Sequence, residues 1–144
     1  MPGFEEYYEI SDQGRARSKE RRYVNSQGRV IIKHSKVLTP FLGGGGYLRV
    51  GLKIPGDKKV YKVMLNRKVA EAFIPNTNPD LFDIVGHKDD VRTNNVYTNL
   101  YWTTQSENIQ KAVKSGRLTF DGAQNANSRA IKIIKNDGSD VRVF

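Results

Sequence analysis

Residues 81–116 constrain the fold most tightly, because the spacing of apolar side chains changes there from strand-like to helical within a short stretch. Phe82, Ile84 and Val85 lead into Gly86-His87, a polar segment runs over 88–95, and Asn99-Leu100-Tyr101-Trp102 reads as a second short strand. A helix is expected from Thr104. Thr104 and Glu107 have the spacing at which a hydroxyl and a carboxylate each cap the other's backbone N–H at a helix start. Ile109, Ala112 and Val113 fall on one face of a 3.6-residue period, and Gly116 ends the helix. Leu100, Trp102 and Ile109 are expected to fill the core between the two strands and this helix.

Upstream, the pattern is one of short strands over 7–10, 15–18, 30–33, 47–54 and 59–64, punctuated by Ser26-Gln27-Gly28 and Pro55-Gly56-Asp57, both hairpin signals. Leu48, Val50, Leu52 and Ile54 alternate with Tyr47, Arg49, Gly51 and Lys53, the period of a half-buried strand whose basic side chains face outward. The four glycines 43–46 are not followed by Gly-Lys-Ser or Gly-Lys-Thr, nor by a helix, so they read as a hairpin connection and not as a phosphate loop. A short helix is expected over 66–73, capped by Asn66, with Val69, Ala70 and Phe73 at helical spacing and Pro75 beyond its end. Downstream, 120–129 reads as a linker, and 130–135 and 141–144 flank Asn136-Asp137-Gly138 as a hairpin cut short. The expected class is α+β: N-terminal antiparallel strands over 1–64, a strand-strand-helix unit within 65–118, and a linker with a truncated C-terminal hairpin over 119–144.

Charge narrows the choice of partner. The 144 residues carry 24 Lys and Arg against 15 Asp and Glu, a net charge of +9 that suits a polyanion. The cations fall in clusters, at Arg15, Arg17, Lys19, Arg21 and Arg22, at Lys58, Lys59, Lys62, Arg67 and Lys68, and at Lys111, Lys114 and Arg117, interleaved with strand-like residues as on a folded surface. There is no cysteine, which excludes disulfides, thiolate metal sites and thiol nucleophiles and leaves His, carboxylate and amide oxygens as metal ligands. No apolar run approaches the roughly 20 residues of a membrane span, and the N-terminus lacks a secretory signal pattern, so no membrane association is expected.

Hydrolysis of a phosphodiester needs a base for water, a cation for the developing charge, and a scaffold that fixes both at one phosphate. His87, closing the first strand, and Asn108, early in the helix, are placed on elements that face each other, with Asn99 between them in sequence. His34, among Lys33, Ser35 and Lys36, reads as an ordinary surface histidine. The strings Val69-Ala70-Glu71-Ala72-Phe73-Ile74-Pro75-Asn76, Gly86-His87-Lys88-Asp89-Asp90, Thr93-Asn94-Asn95, Asn99-Leu100-Tyr101-Trp102 and Thr104-Gln105-Ser106-Glu107-Asn108-Ile109 resemble the HNH homing endonucleases encoded in phage introns. Pro2-Gly3-Phe4-Glu5-Glu6-Tyr7-Tyr8-Glu9-Ile10-Ser11, with Gly14-Arg15 and Arg17-Ser18, resembles the small module that often precedes that nuclease domain.

The resemblance implies a ββα-metal (His-Me finger) unit, His87 as general base, Asn108 as a ligand to Mg²⁺ or Mn²⁺, and Asn99 holding the loop and orienting His87. It implies a double-stranded DNA partner, nicking by a monomer, and the cytoplasm of a bacterial host. DNA contacts are expected from Arg15, Arg17, Lys19, Arg21, Arg22, Arg49, Lys62, Arg67 and Arg92, which would neutralise backbone along a bent duplex. Family members commonly continue past the tail hairpin into a helix-turn-helix, which this chain would lack.

One position departs from the pattern. Gly86 stands where the family places a metal-ligating side chain. Asp83 lies an odd number of residues away and so points to the other face of the strand; Asp89, in the following turn, is the better replacement. An impaired nuclease is one reading that follows, and a noncatalytic DNA-binding protein on a degenerate scaffold is the other. RNA binding ranks below both, since no platform of adjacent exposed aromatics is evident.

Overall fold

The computed structural model describes residues 1–116, together with the backbone of 133–134 and 140–141. The chain forms two compact units, Met1–Asn108 and Ile109–Phe144. Within the first, β1 (Tyr8–Ile10), β2 (Ala16–Ser18), β3 (Arg21–Val24), β4 (Val30–Lys33), β5 (Lys36–Val37), β6 (Phe41–Leu42), β7 (Leu48–Lys53) and β8 (Val60–Met64) precede helix α1 (Leu65–Phe73). Strands β9 (Ile84–His87) and β10 (Leu100–Thr103) and helix α2 (Gln105–Lys114) follow, α2 crossing the boundary between the units. All pairings are antiparallel: β1-β2-β5, β3-β4, β6-β7-β8 and β9-β10.

The alternation along β7 sets the first core. Val50 and Leu52 are fully buried with Met1, Tyr8, Ala16 and Leu65, while Arg49 and Lys53 occupy the opposite face, with Lys62 across from Gly51. Burial of two such aliphatic side chains stabilises the sheet by about 1.5–3 kcal/mol each. Tyr8 crosses this core so that its hydroxyl donates to the Lys53 carbonyl and accepts from the Lys53 N–H, both at 2.9 Å, anchoring the end of β7. A second cluster joins α1 to the β9-β10 hairpin through Val69, Ala70, Val85 and Leu100, with Ile74 and Trp102 packed on it. Ile10 touches both clusters.

Helix α1 begins one residue earlier than its sequence pattern predicts, and Asn66 does not cap it. Met64 takes the extended N-cap position with no side-chain cap bond, because β8 runs directly into the helix and Leu65 is drawn into the first core. Asn66 consequently lies inside the first turn, buried, with its Oδ1 unpartnered. At α2 the expected capping box is present: Thr104 Oγ1 accepts from the Glu107 N–H at 3.1 Å, and Glu107 Oε2 accepts from the Thr104 N–H at 3.2 Å.

Three short strands were hidden from the sequence pattern. In β3 the arginines Arg21 and Arg22 read as a charge cluster, yet the segment pairs with β4 from Arg21↔Lys33 to Val24↔Val30; β5 and β6 are two residues each. Leu100 is buried as expected and Trp102 is half-buried, whereas no residue of α2 is buried and Val113 is exposed. In the tail, β11 (Ile133–Ile134) pairs with β12 (Asp140–Val141). The linker expected at 120–129 and the turn at Asn136-Asp137-Gly138 lie outside the described residues. Among the described residues no helix is long and apolar enough to cross a membrane.

Candidate active site

The register of the hairpin decides what each site residue faces. Leu100 opposes His87, Tyr101 opposes Gly86, Trp102 opposes Val85 and Thr103 opposes Ile84. Alternation puts Val85, His87, Leu100 and Trp102 on one face, and Val85 and Leu100 pack with α1. The His87 side chain is thus carried inward, and the residue is only 6% exposed. Its Nε2 lies 3.1 Å from Asn95 Oδ1. With an amide oxygen facing it, Nε2–H is the donor, and the basic lone pair of the neutral ring resides on Nδ1. The Tyr47 ring stands against the imidazole, centroids 6.0 Å apart. Arg92 fastens this cover: its guanidinium donates to the Gly45 carbonyl and lies 5.4 Å from the Tyr47 centroid.

Asn95 is held from behind by Gly14, which turns β1 into β2 with φ of +74°. A Cβ on Gly14 would fall 2.7 Å from Asn95 Cβ, so only glycine permits both the turn and the close approach. The sequence resemblance points to Asn99 for holding the loop and orienting the ring and does not single out the Asn95 side chain. The Asn99 amide organises the loop: Nδ2 donates to Asp89 Oδ1 and to the Asn94 carbonyl, each at 2.9 Å, and Oδ1 accepts from the Asp89 N–H at 3.1 Å. Asp89 further accepts from Val91 N–H and from Asn94. These bonds, Val91 N–H foremost and then the Asn94 amide, hold the Asp89 carboxyl down at about 2. Asp89 is thereby committed to the loop.

Gly86 is buried, and the Tyr101 ring from β10 lies over it. Asn108, one turn into α2, lines a cavity of about 230 Å³ with Tyr47, Asn66, Arg67, Asp83 and Gln105.

Comparison with known proteins decides the family. The NUMOD4 motif matches residues 1–53. The DNA endonuclease I-HmuI of Bacillus phage SP01 is 32% identical over 142 residues, covering 96% of this chain and 72% of the relative. The chain belongs to the HNH homing endonucleases. A second relative, the uncharacterized HNH endonuclease L247 of Acanthamoeba polyphaga mimivirus, is 37% identical over 102 residues, of which 70% of this chain and 25% of the relative take part. A solved structure described as DNA binding and cleavage by the HNH homing endonuclease I-HmuI superposes with a TM-score of 0.66 at 29% identity, covering 99% of this chain and 74% of that one.

HNH nucleases are typically metal-dependent, and the residues present here do not fit a cation gripped by side chains from both hairpin and helix. Among the described residues no group of three His, Cys, Asp or Glu converges as a metal site. The hairpin offers no ligand at Gly86, and the helix offers the neutral amide of Asn108.

The basic residues expected to meet DNA are distributed unevenly. Arg15, Arg22 and Lys62 are exposed, and Lys19 is half-buried. Arg17 pairs with Glu9, and Arg67 pairs with Glu71 while donating to the Asp83 carbonyl and lying over Trp102. Arg21 rests on Tyr7, and Arg49 presses its side chain against Gly43; the Nε of each is buried and unpartnered. Arg92 is taken up by the glycine loop.

Proposed function

We propose that this HNH family member is a homing-type DNA endonuclease that nicks duplex DNA as a monomer in the cytoplasm of a bacterial host, with His87 as general base. The observation that carries the reading is the buried His87 imidazole whose ring is held by Asn95 at Nε2, the fixed orientation a base needs to take a proton from the attacking water. Asn99 holds the loop on which Asn95 is carried, and the strands of 1–64 supply backbone contacts through Arg15, Arg17, Lys19, Arg21, Arg22, Arg49 and Lys62, joined by Arg67 and Arg92. Residues 65–118 hold the ββα nuclease unit. Mg²⁺ or Mn²⁺ is the cofactor of this reading; Asn108 would be its protein ligand, and the ion would supply charge stabilisation at the scissile phosphate.

The test is nicking of supercoiled plasmid carrying the parent locus, in Mg²⁺, Mn²⁺ or EDTA, by the parent and by His87→Ala. Metal-dependent nicking that disappears in His87→Ala supports the proposal; metal-dependent nicking that persists in the folded variant overturns the role of His87. Gly86 favours a second reading, a DNA-binding protein on a disarmed nuclease scaffold, and binding of the same DNA with no nicking in any metal is its signature.

A further inference from the structure

Position 86 is more than an empty ligand position. A Cβ built there would fall 2.6 Å from Tyr101 Cζ and 2.8 Å from both Cε1 and Oη, all well inside ordinary carbon contact distances of about 3.5–4.0 Å. Tyr101 is the cross-strand partner of Gly86, and directly opposed residues of an antiparallel pair project on the same face. An aromatic ring laid over a strand glycine restores the packing that the missing side chain forfeits. His87 projects to the opposite face, so the ring covers the glycine without displacing the base.

We infer that Gly86 and Tyr101 form a coupled pair in which the phenol fills the volume of the ligating side chain, so that a carboxylate at residue 86 gains no cation while Tyr101 remains. This rests on the reading of residue 86 as the family's ligand position. The pair makes the two halves of a working ligand site mutually dependent: a side chain at 86 needs the ring to shift, and removing the ring alone uncovers the glycine backbone. Recovery of a side-chain ligand on the hairpin therefore takes two changes.

The experiment compares the full chain with Gly86→Asp, Tyr101→Ala and the double variant, reading Mn²⁺ affinity by electron paramagnetic resonance without DNA and thermal melting in EDTA. Each single variant is expected to melt below the parent without gain in Mn²⁺ affinity, and the double variant to melt above the sum of the single losses and to bind Mn²⁺ at least about 10-fold more tightly than the parent. Gly86→Asp binding Mn²⁺ as tightly as the double variant would show that the ring yields freely; this overturns the coupling and leaves the ligand position intact. A double variant that melts as expected but gains no Mn²⁺ affinity overturns the inference through its premise about residue 86. If Gly86→Asp does not fold, Gly86→Ala serves for the steric half, since its Cβ alone meets the ring: it should melt below the parent and regain stability on adding Tyr101→Ala, and strictly additive losses would refute the pairing.

Discussion

Asn95→Ala should separate catalysis from stability in this chain. The amide makes one hydrogen bond, from His87 Nε2, and its own Nδ2 is buried without a partner. A buried unsatisfied donor costs about 1–3 kcal/mol, and a made hydrogen bond contributes about 1 kcal/mol net. Truncation relieves the first, forfeits the second, and leaves the histidine N–H and a small void in exchange; the opposing contributions are of one size. The folded state should consequently change by no more than about 1–2 kcal/mol, and the melting temperature by roughly 8 °C or less. The imidazole, however, loses the hydrogen bond at Nε2 that helps to fix its ring and tautomer. A base displaced from its productive geometry loses up to about 100-fold in rate. Plasmid nicking beside a thermal melt measures both quantities on one preparation. Unchanged nicking by a folded Asn95→Ala protein would refute the reasoning, as would a large drop in melting temperature that accounts for the lost activity by unfolding.

Three further outcomes follow from the loop, the helix and the surface. Asp89 titrates at about 2 in the folded chain against an ordinary 3.8, so its stabilising contribution is complete above about 4 and is lost as pH falls toward 2; Asp89→Asn should remove that part of the acid transition in melts recorded against pH. Glu107→Ala removes half of the capping box and the acceptor of the Thr103 hydroxyl bond, and should lower stability by about 1 kcal/mol with a loss of helical circular dichroism at intermediate urea. Lys62→Ala, on the outward face of the β6-β7-β8 sheet, should reduce the slope of log affinity against log salt for duplex DNA by about 1 without altering sequence preference; an unchanged slope would remove Lys62 from the contact surface.

What the sequence made legible follows the strength of local patterning. The alternation through Leu48–Lys53 and the capping box at Thr104 are written in neighbouring residues, and both elements are present. The start of α1 is decided at a distance: the first core claims Leu65, and Asn66 loses the capping position its chemistry suits. Strand β3 was obscured because arginines carry no apolar alternation even when their backbone pairs. The surroundings of His87 divide in the same way. The histidine could be picked out from the string around it, but its partner Asn95 is brought up by a loop and by Gly14 of a distant turn, contacts that no spacing encodes. Likewise, the glycine at 86 could be read off directly, whereas the ring above it depends on hairpin register.

The NUMOD4 match stops at residue 53, at the end of β7, while the strand that completes that sheet, β8, and the residue that closes its core, Leu65, lie beyond. Ile10, inside the match, also packs on the cluster built around α1. The stretch recognised as a recurring motif is therefore not the stretch that melts as one. Transplanting 1–53 into another protein would carry an unpaired edge and a half-built apolar layer, so a recombination event that moves this motif succeeds only where the recipient supplies a strand and a helix of matching shape. Inheritance and cooperativity draw their borders in different places along this chain.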